Sequence, residues 1–286
     1  MSRLWEDPRF GPLAHELYRR CGLVFEGGQA HLFRKRVERR ALEAGYGDVD
    51  SYLERLAFGI DPEEFERLVD LLTVNETFFF REPEHFRVLL DEFWPRWRER
   101  GEVRVWSAAC STGCEPYTLG MLLRERGWHE GVDILASDVS TRVLGEARQG
   151  VYTEFALRNT PAYYRQQYFR MEGARFHLDA SVRSMVRFQR INLAGPEPWE
   201  PPGRFHAVFC RNVLIYFDLE AKRRVVGRLV ASLRPGGVLV VGRSESLLSV
   251  PEAPPPLHRG GVVVYRLPEE AENGSEVSPF GWRSHV

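Results

Sequence analysis

Val103-Arg-Val-Trp-Ser-Ala-Ala-Cys-Ser-Thr-Gly-Cys-Glu-Pro116 is the stretch on which the fold turns. It begins as a short apolar strand, breaks into a turn of small residues, and opens a helix with proline in its first turn; Gly127 lies past that helix's end. The same order recurs downstream. Val132-Asp-Ile-Leu-Ala-Ser137 reads as a second strand, followed by a helix that Ser140 caps and Gly150 closes. Phe205-His-Ala-Val-Phe-Cys210 is a third, and Asp218 caps the next helix, whose apolar face is Val225, Val226, Leu229, Val230 and Leu233. Pro235-Gly-Gly237 turns into the strand Val238-Leu-Val-Val241, and Gly260-Gly-Val-Val-Val-Tyr265 is a last strand. Strands alternating with helices predict an α/β fold, a parallel sheet with helices on both faces.

Two regions depart from that alternation. Upstream, apolar residues recur at helical spacing in Leu13 and Leu17, in Leu32, Phe33 and Val37, and in Tyr52, Leu53 and Leu56, while Asp61-Pro62 reads as a helix start. Residues 1–72 are therefore expected to be an all-helical domain, and 73–268 the sheet domain. Within the latter, Phe176, Leu178, Val182, Met185, Val186 and Phe188 alternate with charged residues, predicting a small antiparallel insert at about 168–190. From Glu269 to Val286 the chain turns polar and acidic and reads as a frayed, disordered tail.

Composition bounds the function. The 286 residues carry 39 basic and 40 acidic side chains, a net charge of −1, so a general nucleic-acid binder with surplus cations is excluded. With 43% apolar and 12% aromatic residues the chain can bury a sizeable core. No stretch is long and apolar enough to span a bilayer, and Arg3, Glu6, Asp7 and Arg9 interrupt any signal segment, so a cytoplasmic protein without direct membrane insertion is expected. Cys21, Cys110, Cys114 and Cys210 are too few and scattered for a disulfide scaffold and read as small buried hydrophobes. The eight histidines form no ligand cluster, so no metal is expected.

In an open α/β sheet, ligands bind outside the carboxyl ends of the strands. After the first strand, Cys110-Ser-Thr-Gly-Cys-Glu-Pro116 lacks the three glycines of a dinucleotide site. Only Gly113 offers a close backbone approach, and Glu115 repels phosphate. A cationic ligand without phosphate, S-adenosylmethionine, fits better. Asp138 lies 25 residues beyond Gly113, after the second strand, where an acid either accepts a ribose diol or simply caps a helix. Asn192-Leu193 either meets an adenine edge or forms a plain turn. Asn75-Glu-Thr-Phe-Phe-Phe-Arg81 and Arg211-Asn-Val-Leu-Ile-Tyr-Phe217 set polar groups among aromatics, with simple core packing as the bland alternative.

Five ordered motifs make the chain recognisable: Asn75-x-Thr-x-Phe-Phe-Arg81, Trp106-Ser-Ala-Ala-Cys-Ser-Thr-Gly-Cys-Glu-Pro-Tyr117, Ala136-Ser-Asp138, Phe209-Cys-Arg-Asn-Val-Leu-Ile-Tyr-Phe217, and Pro235-Gly-Gly with Gly242-Arg-Ser-Glu245. Over about residues 10–267 the chain resembles the CheR-type chemotaxis receptor (protein-glutamate) methyltransferases. The resemblance implies a Rossmann-like methyltransferase domain with a small antiparallel β insert, behind an all-α domain that recognises the receptor. It implies transfer of a methyl group from S-adenosylmethionine, leaving S-adenosylhomocysteine, to glutamate side chains on cytoplasmic helical segments of chemoreceptors, by a monomeric enzyme. Position by position, it assigns the cofactor to Asn75, Thr77, Arg81, Glu115, Asp138, Asn192, Leu193, Asn212 and Val213, and the reacting end to Arg81 and Tyr216. Cys114 departs from the family, which usually has a second acid there.

These residues suit the reaction. A glutamate acceptor, with a pKa of about 4.3, is ionised at neutral pH and needs no general base. Its obstacle is hydration, and alignment supplies the rest. Arg81 is expected to steer the carboxylate, Tyr216 to fix one oxygen, and Phe78 to Phe80 to exclude water. In His31-Leu-Phe-Arg-Lys-Arg-Val-Glu-Arg-Arg-Ala41, helical spacing puts Phe33, Val37 and Ala41 on one face. Lys35, Arg36, Arg39 and Arg40 lie on the other, as a receptor-docking surface or a solvated helix face. The short Met171-Glu-Gly-Ala-Arg175, with only Gly173, suggests independence of the receptor's carboxyl-terminal pentapeptide. Methylation of a nucleobase amine is disfavoured, since no Asn/Asp-Pro-Pro-aromatic signature follows the Phe205 strand.

Overall fold

The structure, a computed structural model, describes residues 4–269 apart from 26, 27, 58, 60, 74 and 197. The expected tail, Glu269 excepted, lies outside the described residues. Four helices open the chain: α1 (Gly11–Cys21), α2 (Gly28–Glu43), α3 (Val49–Ala57) and α4 (Pro62–Leu72). Asp61 caps α4 by accepting from the Glu64 N–H at 2.8 Å, with Pro62 where a missing N–H costs nothing. Leu17, Phe33, Val37, Tyr52 and Leu68 meet in one buried cluster.

A second set of elements begins with α5 (Pro83–Val88) and α6 (Trp94–Glu99), joined by a π-helical turn, and continues through β1 (Val103–Ala108), α7 (Cys114–Glu125), β2 (Val132–Asp138) and α8 (Thr141–Gln149). Then follow β3 (Val151–Tyr152), α9 (Ala162–Tyr168), β4 (Phe169–Glu172), β5 (Arg175–Leu178), α10 (Ala180–Arg183), β6 (Val186–Arg190) and β7 (Phe205–Cys210). The last elements are α11 (Leu219–Ala231), β8 (Leu233–Val241), β9 (Pro256–Arg259) and β10 (Val262–Arg266). The main sheet has the order β6-β2-β1-β7-β8-β10-β9, with the first five strands parallel. Because β1 is buried on both faces, alternation divides its side chains between two cores. Val103 and Val105 enter one, and Trp106 and Ala108 the other. The caps read from the sequence are present: Ser140 accepts from Val143 N–H, Asp218 from Ala221 N–H, and Gly150 closes α8 with φ 66°.

Three expectations change. The small antiparallel sheet is β3-β5-β4, and residues 186–190 belong instead to the main sheet as β6, parallel to β2. One exposed edge face explains the misreading, because it gives β6 the half-polar alternation of an antiparallel strand. Leu233 and Pro235-Gly-Gly237 are already part of β8, so Leu233 is not on the helix face. The sheet also ends on two antiparallel strands, of which β9, with Pro256 and charged residues, is an edge that periodicity does not reveal.

The helical domain is clamped onto the sheet domain. Gly22, in the left-handed region at φ 68°, ends α1 so closely that a Cβ would lie 2.7 Å from Ala194 Cβ. Asn192 Nδ2 donates to the Arg20 carbonyl at 2.7 Å, the Tyr18 hydroxyl to Asp218 at 3.1 Å, and Arg190 pairs with Glu66 at 2.5 Å.

Inside the helical domain, Glu64 takes both guanidinium arms of Arg40, at 2.8 and 2.7 Å, and the Tyr52 hydroxyl. Burial pushes the Glu64 carboxyl up, but Arg40 and Tyr52 outweigh it and hold the pKa below its ordinary value. The stabilisation is complete above the unfolded pKa of about 4.3 and is lost as pH falls through the lower folded value. Glu64→Gln is expected to cost about 3 kcal/mol at neutral pH, read from the denaturant midpoint, with the gap from wild type closing in acid.

Candidate active site

The chain order reverses between β1 and β7, where the sheet opens a cleft at its carboxyl edge. The cleft encloses about 1350 Å³, part of it open to solvent. Its floor is the strand ends: Ala109 to Ser111 after β1, Asp138 after β2, Ile191 to Leu193 after β6, and Asn212 and Val213 after β7. Its roof comes from the helical domain, through Cys21, Val24, Leu32 and Arg36.

Backbone strain is concentrated here. Among the described residues, Phe80, Glu82, Ala109, Ser111 and Asn212 are the non-glycine residues with positive φ, between 50° and 64°. Each costs of order 1 kcal/mol or more and persists only where its surroundings enforce it. Glu245 supplies that enforcement after β7. Its Oε2 accepts from the Asn212 and Gly242 N–H groups at 2.6 and 2.7 Å, and its Oε1 from Val213 and Leu214 at 2.9 and 2.7 Å. A Cβ at Gly242 would meet Asn212 Nδ2 at 2.6 Å and Glu245 Oε2 at 2.8 Å, so a side chain there would have to displace the ends of both.

A buried cation organises the opposite wall. Arg211 Nη1 donates to Glu115 Oε2 at 2.9 Å, and Nη2 to the Arg81 carbonyl at 2.6 Å and Glu82 Oε2 at 3.1 Å. Burial raises the Glu82 carboxyl, but His85 and Arg211 reverse this and drive it far below the carboxylate range. Glu115 also accepts from Ser107 Oγ at 2.7 Å. Asp138 accepts from Ser111 N–H at 2.9 Å and Ser140 N–H at 3.0 Å, while burial pushes its pKa up.

All ten predicted residues line this cleft: Asn75, Thr77, Arg81, Glu115, Asp138, Asn192, Leu193, Asn212, Val213 and Tyr216. Arg81 donates to the Glu76 carbonyl at 3.3 Å and lies over the Phe78 ring. Other expectations are corrected. Phe79 and Phe80 point into the core, against Tyr152 and Phe169 and against Tyr164, and Phe78 is outside the cleft lining. Gly113 packs instead against Tyr117 and Ala147, where a Cβ would come within 3.0–3.1 Å, so the open backbone approach is at Ala109 to Ser111. Of the basic set, Lys35 and Arg39 are exposed and Arg40 is turned inward onto Glu64. Arg36 donates to the Leu72 and Thr73 carbonyls and lines the cleft. All four cysteines are buried free thiols, as expected.

The donor set suits S-adenosylmethionine. Glu82 and Glu115 against Arg211 leave one formal negative charge, a setting for an ammonium or sulfonium and a poor one for phosphate. Each Asp138 oxygen spends one lone pair on the chain and keeps another, as a pair of vicinal hydroxyl donors requires. Residues 9–73 match the CheR methyltransferase all-alpha domain, and residues 75–257 the CheR methyltransferase SAM-binding domain. The chain belongs to the CheR methyltransferase family. It is an S-adenosylmethionine-dependent methyltransferase. It is 35% identical over 273 residues to a chemotaxis protein methyltransferase of Klebsiella aerogenes, covering 92% of this chain and 91% of that one. The corresponding Escherichia coli protein is 36% identical over 247 residues, 84% of this chain and 85% of its own. Chemotaxis protein methyltransferase 2 of Pseudomonas aeruginosa is 36% identical over 245 residues, with 84% and 86% covered.

Sequence reasoning in this CheR protein passed over Arg211, Glu82 and Glu245 as site-builders. A cation directly after a strand as apolar as β7 was the available signal for Arg211; Glu245 is harder to read, because three of its four N–H partners belong to the distant loop 212–214. Glu245→Gln replaces one acceptor oxygen with a donor that faces N–H groups. S-Adenosylhomocysteine is expected to bind about tenfold or more weakly, by calorimetry, with the circular dichroism spectrum unchanged.

Proposed function

We propose that this CheR methyltransferase esterifies glutamate side chains on cytoplasmic helical segments of methyl-accepting chemotaxis receptors. The observation that carries the proposal is the chemistry of the cleft mouth. Among the described residues, Arg36 and Arg81 have no carboxylate partner, and both line the cleft with Tyr216. No histidine or lysine lines it. Guanidiniums that hold no carboxylate of the chain suit an acceptor that arrives already anionic, which needs no general base. The names of the relatives point to chemotaxis.

In this proposal Asp138 takes the ribose diol, Asn192 and Leu193 border the adenine, and Glu115 takes the ammonium. Asn75, Thr77, Asn212 and Val213 complete the wall. When bound, S-adenosylmethionine supplies an electrophilic methyl group on a sulfonium. Arg81 draws in the acceptor carboxylate and exchanges its water shell for fixed donors. Burial raises the Tyr216 pKa, so the hydroxyl remains a donor and holds one acceptor oxygen while the other stays free to attack. Arg36 adds a second cation from the roof, and Lys35 and Arg39, one turn outward, meet acidic residues of the receptor helix. The insert's hairpin closes in a two-residue turn at Gly173-Ala174, too short to present a further peptide-binding loop.

Arg81→Ala is expected to lower methyl transfer to a receptor cytoplasmic fragment about 100-fold, and Tyr216→Phe about tenfold or more. Tyr216→Phe should still bind S-adenosylhomocysteine. The product should release methanol in mild base, as a carboxyl ester does and an N-methyl group does not; base-stable label, or full turnover in both variants, rejects the assignment. Arg39→Glu should raise the receptor KM several-fold without changing S-adenosylhomocysteine affinity. Equal loss of both would place Arg39 in the fold and not in docking.

A further inference from the structure

Glu76 is an acid at the mouth of the cleft, beside a guanidinium that the acceptor needs free. Arg81 Nη1 already touches the Glu76 carbonyl at 3.3 Å, so the carboxylate of that same residue is within a side-chain rotation of Arg81. An exposed glutamate so placed should pair with Arg81 and compete with any incoming acid. It does not, because its Oε1 accepts from Arg158 Nη2 at 3.0 Å.

Arg158 is built to hold that position. It follows the 3-10 turn Glu154–Leu157 in the segment between β3 and α9, and its Nη1 donates to the Phe155 carbonyl at 2.7 Å. Its guanidinium stacks on the Phe78 ring at 3.7 Å and the Phe155 ring at 3.8 Å from the centroids. Only 28% of the Arg158 side chain is exposed, against 60% of Glu76. The cation is therefore the enclosed partner, held by a carbonyl and two rings, and the carboxylate the exposed one. The same Phe78 ring carries Arg81 at 5.5 Å, so the two guanidiniums are set apart by one aromatic spacer.

We infer that Arg158 is a positioning residue that withholds the Glu76 carboxylate from Arg81, leaving Arg81's charge for the acceptor's acid side chain. The inference rests on Arg81 meeting the acceptor, as proposed for the function. It assigns a role in acceptor binding to the segment within the insert that joins β3 to α9, and makes the chain's own glutamate the competitor that must be held off.

The test measures acceptor KM and kcat for the full chain with S-adenosylmethionine and a chemoreceptor cytoplasmic fragment, together with the Kd for S-adenosylhomocysteine. Arg158→Ala should raise the acceptor KM about fivefold while leaving Kd within about twofold. Adding Glu76→Gln to that variant should return KM to near the wild-type value, a rescue that a merely structural role of Arg158 does not allow. Arg158→Lys, which keeps the ion pair without the planar stack, should stay closer to wild type than Arg158→Ala. An unchanged KM in Arg158→Ala, or a double variant as impaired as Arg158→Ala alone, overturns the inference. Arg81→Ala separates the two levels. If it leaves acceptor KM and turnover untouched, the role of Arg81 itself falls. If Arg81→Ala is impaired while Arg158→Ala is not, only the role of Arg158 falls.

Discussion

The site depends on one buried guanidinium. The Arg211 side chain, 2% exposed, has left nearly all of its hydration behind, which costs several kcal/mol unless its donors are matched. Two carboxylates, a carbonyl and the Phe86 ring face it. The acceptors come from two separate parts of the chain: Glu115 from the start of α7, and the adjacent Arg81 carbonyl and Glu82 carboxylate from the entry to α5. One cation thus fixes the Glu115 carboxylate and the backbone of Arg81, both in the cleft lining, relative to each other. Without it, Glu82 and Glu115 would be two half-buried carboxylates sharing no cation, and the Arg81 carbonyl between Phe80 and Glu82 would lose its partner.

Glu245 plays the complementary part for the other wall. Four N–H groups converge on one carboxylate, and this holds Asn212 at φ 61°, where a β-carbon is unwelcome. Cation and anion each tie down a loop that propensity alone would leave loose. Binding groups are then presented in place before any ligand arrives, so that less ordering is needed on binding.

Much of this was legible in the sequence. The strand-and-helix alternation, the caps at Asp61, Ser140 and Asp218, and the run of motifs bring all ten cleft residues to the ends of the right elements, because those signals are local. What escaped is non-local. Arg36 and Arg40 occupy one helical face by period, yet their fates differ because α4 sits over one and the cleft opens beside the other. The Phe78 to Phe80 run reads as a single hydrophobic unit, but φ 57° at Phe80 turns its rings to different neighbours. β6 reads as antiparallel because edge exposure imitates the half-wet alternation of a hairpin.

Charge in this cleft is drawn from both domains. Glu115, Asp138 and the buried Arg211 belong to the sheet domain, whereas Arg36, without a carboxylate partner among the described residues, is delivered by the roof. The roof is held by contacts to residues that also border the ligand space, Asn192 among them, whose amide already clasps the carbonyl of Arg20. Closing the roof and fixing the Asn192 wall of the cleft are therefore a single event. A helical domain that shifted by even a few ångströms would open the cleft to water and withdraw Arg36 from it together, so packing between the domains bears directly on a cleft that neither forms alone.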